Sequence, residues 1–175
     1  KLSSFNQDFI DSYEKAFHKW QRAEDELCAY EWILKRIDLD NPWVSFFTAP
    51  TILNLHLSGR LYRYAKSGVR IEVEDGDTVI DGGVGWGDTT VYLAALAGKS
   101  SLGKVYAFDI LEEAFVYLNQ QLSLNPRISN VFPIHLGLSD VDDASVFVSD
   151  PRRGWRVHPR PFFIRAGSWH AYCGM

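Results

Sequence analysis

From Asp81 to Asp88 the chain reads Asp-Gly-Gly-Val-Gly-Trp-Gly-Asp, with a glycine at every second position from Gly83 to Gly87. A backbone so rich in glycine is a poor helix and a poor strand, so the chain turns here. Thr78-Val79-Ile80 just before it has the β-branched bias of a buried strand, and Thr89 to Ala97 just after it has the apolar spacing of a helix. The glycines therefore occupy a strand-to-helix turn. Backbone without Cβ can approach a ligand closely there, and the start of the helix offers unpaired N–H groups to it.

The spacing separates the cofactors such a turn might serve. A dinucleotide fingerprint requires Gly-x-Gly-x-x-Gly, and counting from Gly83 or from Gly85 puts Asp88 or Thr90 where the third glycine should fall. An NAD-type Rossmann oxidoreductase is thus kept only as an alternative. The pattern present, Asp81-x-Gly83-x-Gly85-x-Gly87, resembles the first motif of class I S-adenosylmethionine-dependent methyltransferases. That resemblance implies S-adenosyl-L-methionine as cofactor, with Asp81 facing its cationic amino end. A second strand is expected over Lys104 to Asp109, and its terminal carboxylate lies 22 residues beyond Gly87. An acidic residue about 20 residues past a glycine loop is where an open α/β sheet holds the ribose hydroxyls of an adenosine.

A narrower resemblance is carried by the runs Gly76-Asp77, Trp86-Gly87-Asp88-Thr89, Gly103 to Asp109, Asn125-Pro126 and Gly137-Leu138-Ser139-Asp140. Together they are similar to the FkbM family of methyltransferases, over roughly residues 69–148. The resemblance implies a Rossmann-like α/β core, a largely parallel sheet with helices on both faces. It implies cofactor contacts from Asp81, Gly82, Gly83, Gly85, Gly87, Asp88, Thr89, Asp109, Leu138 and Ser139, and O-methylation of a hydroxyl on a small molecule, sugar or glycan. No catalytic base is named; His135 and Asp140 are the titratable groups nearest the expected adenine edge. The family's later block, an acidic strand followed by a Glu-Gly turn, does not occur in the sequence, and its second-strand glutamate is Asp109 here.

Strands are expected at Val69 to Val73, Thr78 to Asp81, Lys104 to Asp109, Val131 to His135 and Ser145 to Val148. The domain reading is a helical cap over 1–68, an incomplete cofactor-binding core over 69–148 and an irregular basic tail over 149–175. That tail carries five arginines against Asp150, within a chain of net charge −4. It reads as the irregular end of a truncated or frameshifted methyltransferase rather than a nucleic-acid arm, and the overall acidity argues against a nucleic-acid partner.

Upstream, apolar residues recur at Phe9, Tyr13, Ala16, Trp20, Ala23, Leu27, Tyr30, Leu34 and Ile37 in steps of four and three. This spacing predicts a long helix ending at Asn41-Pro42, with a heptad seam that allows a homo-oligomer; a non-catalytic oligomerising module is the second alternative. A further helix is expected over Ile52 to Tyr64. No apolar run is long enough for a membrane span. Cys28 and Cys173 form no zinc or disulfide framework, the five histidines show no ligand spacing, and a cytoplasmic enzyme without metal is the expectation.

Overall fold

A computed structural model of the chain describes residues 11, 14–15, 17–29, 32–50, 62–140, 147–148 and 157–158. Residues 17–21 are helical, but the long helix expected up to Ile37 is not formed. From Glu26 the chain is instead an antiparallel meander of β1 (Glu26–Ala29), β2 (Trp32–Asp40) and β3 (Trp43–Thr48). The physical reason is composition: Trp32, Ile33, Ile37, Trp43, Val44, Phe46, Phe47 and Thr48 are residues that suit a pleated surface. Leu27 and Leu34, seven apart as in a heptad, are cross-strand partners in the β1–β2 hairpin. Asn41-Pro42, read as a helix stop, is the two-residue turn that pairs Asp40 with Trp43. The heptad seam and the oligomer it implied therefore have no helix to carry them beyond Gln21.

The strand expected at Val69 to Val73 does not lead the parallel sheet. It pairs as β5 (Val69–Ile71) with β4 (Tyr64–Lys66) in an exposed antiparallel hairpin. Ser67 and Gly68 both take positive φ, 53° and 79°, the geometry of the tight turn that matches strand twist. Most of the helix expected at Ile52 to Tyr64 lies outside the described residues, and Tyr64 itself is in β4.

The cofactor strands fall where expected. In chain order come β6 (Thr78–Gly82), α1 (Asp88–Ala97), β7 (Lys104–Phe108), α2 (Glu112–Ser123) and β8 (Val131–Ile134). The three strands are parallel in the order β6-β7-β8. Two right-handed crossovers running the same way along a sheet put both helices on one side. Accordingly Val91 and Leu93 of α1 and Ala114 and Leu118 of α2 pack against that side, where Val105 and Ala107 are fully buried. The expectation of helices on both faces is thus corrected for the described residues. On the opposite face Ile80, Tyr106 and Phe132 share one row, with Ile80 65% and Phe132 42% exposed. Farther on, β9 (Phe147–Val148), within the strand expected at Ser145 to Val148, pairs antiparallel with β10 (Val157–His158), which falls in the tail expected to be irregular. The rest of that tail lies outside the described residues.

Two side-chain amides fasten the meander to the core. Gln121 and Asn125, one helical turn apart at the end of α2, treat β3 as a neighbouring strand would. Asn125 accepts from Ser45 N–H (2.8 Å) and donates to Ser45 C=O (2.6 Å). Gln121 does the same with Phe47, at 2.8 Å each way. The outer edge of β3 is thereby satisfied at alternate residues, and both amides are fully buried or nearly so. Cys28 on β1 is not a free thiol. No helix among the described residues is long and apolar enough to cross a membrane.

Candidate functional site

The glycine loop leaves β6 at the carboxyl end of the sheet, the end at which open α/β sheets bind ligands. Gly83, Gly85 and Gly87 have φ of 94°, 57° and 79°, a left-handed residue at every second position. Their N–H groups are held by the protein itself: Gly83 donates to Phe108 C=O (2.8 Å), Gly85 to Asp109 (3.2 Å) and Gly87 to Val84 C=O (2.8 Å). The glycines divide by what surrounds them. A Cβ at Gly83 or Gly85 would meet nothing within 4 Å, so this side of the loop faces open space. A Cβ at Gly87 would lie 2.8 Å from the Leu118 backbone, so that glycine serves the close packing of α1 on α2.

Three buried aspartates converge on the loop. Asp81, Asp88 and Asp109 are 6%, 4% and 8% exposed. Asp81, at the end of β6, accepts the Thr90 hydroxyl of α1 at 2.6 Å. Burial pushes its carboxyl above the usual range; the Thr90 bond opposes that rise, and the charges of Asp88 and Asp109 add to it. Asp88, in the first turn of α1, accepts the Thr48 hydroxyl from the meander at 2.7 Å and the Thr89 N–H at 2.9 Å. Asp109 closes β7 with both oxygens engaged, one by Gly85 N–H (3.2 Å) and the other by Leu111 N–H (2.9 Å). Each oxygen keeps a second acceptor direction. Its carboxylate therefore spans the glycine loop and the start of α2.

The other expected site residues lie around the same opening. Leu138 packs its side chain against Gly82, where an added Cβ would approach it to 2.9 Å, and is 59% exposed. Ser139 is exposed beside it, and Thr89 contributes its backbone N–H to Asp88 rather than to open space. His135 sits at the exit of β8, its Nε2 3.1 Å from Ile110 C=O and its ring edge-on to Phe115. Among the described residues no cluster of His, Cys, Asp and Glu is arranged to hold a metal ion.

Sequence reasoning missed three participants. Thr90 and Thr48 carry no spacing signal, since each is recognised only by the carboxylate it meets. Gln121 additionally donates to Trp86 C=O at 3.0 Å, anchoring the glycine loop to the amide pair that holds the meander. Tyr62, one of the aromatic residues that crowd the segment before the parallel strands, is 62% exposed, and its phenol is pushed up by desolvation and then by the charges of Asp81 and Asp88. Its φ of 56° is uncommon for a bulky residue. A separate depression of about 140 Å³, lined by Ser101, Lys104, Arg127 and Asn130, lies at the opposite end of the strands and touches none of these groups.

No protein-family model matches the chain, and no curated protein does. Solved structures with local similarity include an rRNA methylase from Streptococcus thermophilus, 37% identical over 37% of this chain and 36% of that one, with a TM-score of 0.32. A SAM-dependent methyltransferase from Aquifex aeolicus is 30% identical over 40% of this chain and 36% of that one, at 0.34. A Streptococcus mutans protein assigned as a methyltransferase and solved with SAH is 35% identical over 37% and 34%, at 0.32. The chain thus spans about a third of the length of these structures. At such scores the likeness assigns neither fold nor activity, and the functional reading rests on the chemistry of the loop.

Proposed function

We propose that the glycine loop binds S-adenosyl-L-methionine and that the chain is the cofactor-binding unit of an O-methyltransferase of the FkbM type. One observation carries this reading: Asp81 is buried beside Asp88 and Asp109, its pKa raised, at the rim of a glycine cradle where a Cβ at Gly83 or Gly85 would meet nothing within 4 Å. A buried carboxylate in that position is stabilised by a cation placed next to it. The same three charges oppose a dinucleotide, whose pyrophosphate would have to sit at the start of α1, where Asp88 is buried. A ligand with a cationic amino end and a ribose diol suits the set. Asp81 would face the ammonium, Asp109 would accept the two ribose hydroxyls, and Gly83 and Gly85 would admit the ligand to the backbone. Leu138 and Ser139 would flank the adenine.

When bound, the cofactor supplies a methyl group already activated on a sulfonium. The chain's own work is then to align an acceptor oxygen with it and to keep water out. No described side chain is placed as a general base: His135 is occupied with the Ile110 carbonyl and with Phe115. The acceptor we infer is a hydroxyl on a small molecule, sugar or glycan. The test is calorimetry of the 175-residue chain with S-adenosylhomocysteine and NAD in parallel. Saturable binding of the former alone is expected, and saturable NAD binding without it would transfer the site to the oxidoreductases.

A further inference from the structure

Trp86 is the only residue of the glycine loop with a large side chain, and its backbone is fixed on both sides. Gly85 and Gly87 flank it in left-handed conformations, and Gln121 holds its carbonyl at 3.0 Å. Its ring leaves the loop on the side of the meander, where it packs among Ala29, Leu34, Ala49 and Tyr117. Trp32, the first residue of β2, closes against it with ring centroids 5.9 Å apart and planes inclined by 56°. Trp32 is nevertheless 54% exposed. One edge of the pair is thus core, and the other is an open aromatic corner beside the cradle.

We propose that Trp32, backed by Trp86, is the stacking wall for the methyl acceptor, and that the acceptor is a neutral ring bearing a hydroxyl. This rests on the reading of the glycine loop as a cofactor site. Tryptophan offers a broad apolar face with few rotatable bonds, so an exposed one backed by a second ring presents a rigid surface to a ring at little entropic cost. The charge of the surroundings restricts the guest: Asp81, Asp88 and Asp109 disfavour a polyanion, and a sugar or a phenol presents the apolar face and the hydroxyl without that penalty. Packing accounts for Trp86 without any ligand, but it leaves most of the Trp32 face in water.

The experiment uses the intact chain, wild type and the substitutions Trp32→Ala and Trp32→Phe. Each is titrated by calorimetry with S-adenosylhomocysteine, and then, saturated with it, with a methyl glycoside, a catechol and a short structured RNA. Wild type is expected to bind a glycoside or a catechol, Trp32→Ala to lose at least tenfold in that affinity, and Trp32→Phe to recover most of it. Affinity for S-adenosylhomocysteine should stay within twofold throughout. Equal ring affinity in Trp32→Ala, or binding of RNA but of neither ring, would overturn the proposal. Ring binding that depends on Trp32 in a protein without affinity for S-adenosylhomocysteine would keep the wall and remove the cofactor reading.

Discussion

The two faces of the parallel sheet differ in nearly every respect. On the helix side Val105, Ala107, Ala114 and Leu118 are fully buried, and the same side of β6 and β7 ends in Asp81 and Asp109. On the other side Ile80 and Phe132 stand in water, followed by Leu136 and Leu138 at 63% and 59% exposure. Parallel sheets are ordinarily covered on both faces, and among the described residues this one is packed on a single side. The difference shows where the site obtains its rigidity. Asp81 and Asp109 continue buried rows, Asp81 being held by Thr90 of α1, and Asp88 at the start of α1 is held by Thr48 of β3.

Substitutions on the two sides should therefore behave differently, beginning with Gly87→Val. A branched side chain there meets the Leu118 backbone at a left-handed φ, and a loss on the order of 3 kcal/mol or more is expected in urea unfolding. Leu118→Ala, a cavity at the centre of the same layer, should cost about 2–5 kcal/mol. Asn125→Leu leaves the Ser45 N–H and C=O without their partner, and roughly 1–3 kcal/mol should be lost, with thermal melting showing the meander loosened.

Asp81→Asn is expected to act in opposite directions on stability and on binding. A carboxyl whose folded pKa lies above its unfolded value costs stability at pH values above the folded pKa, and the cost disappears once pH falls below the unfolded value. The ligand-free substitution should thus melt slightly higher than wild type at neutral pH and show no such advantage in acid. Its affinity for S-adenosylmethionine should fall, and wild-type affinity should itself decline as pH drops through the raised pKa. Smallest of all, Ile80→Thr on the bare face should change stability by no more than about 0.5 kcal/mol. A large loss there would show that the face is covered in solution.

The core was legible because its signals are local. Three strands, the helix from Thr89 to Ala97 and the glycine turn between Asp81 and Asp88 each announce themselves within a few residues, and Asp109 comes at a distance fixed by one crossover. The meander was not legible, because Leu27, Leu34 and Ile37 satisfy a helical period while belonging to two strands paired by a hairpin. What decides between them is tertiary: Gln121 and Asn125, 74 and 80 residues from their partners, supply the edge that β3 needs. Asn125 was visible only as part of the Asn125-Pro126 pair. Thr48 joined the site through the same misread region, and no spacing rule connects it to the loop.

The most direct measurement is hydrogen exchange at single-amide resolution, with and without saturating S-adenosylhomocysteine. If the loop is the cofactor site, the ligand should slow exchange at Gly83 to Asp88 and from Asp109 to Leu111, and leave Ile80 and Phe132 on the bare face little changed. Binding that protects the bare face or the meander while leaving the glycine amides as fast as before would contradict the account.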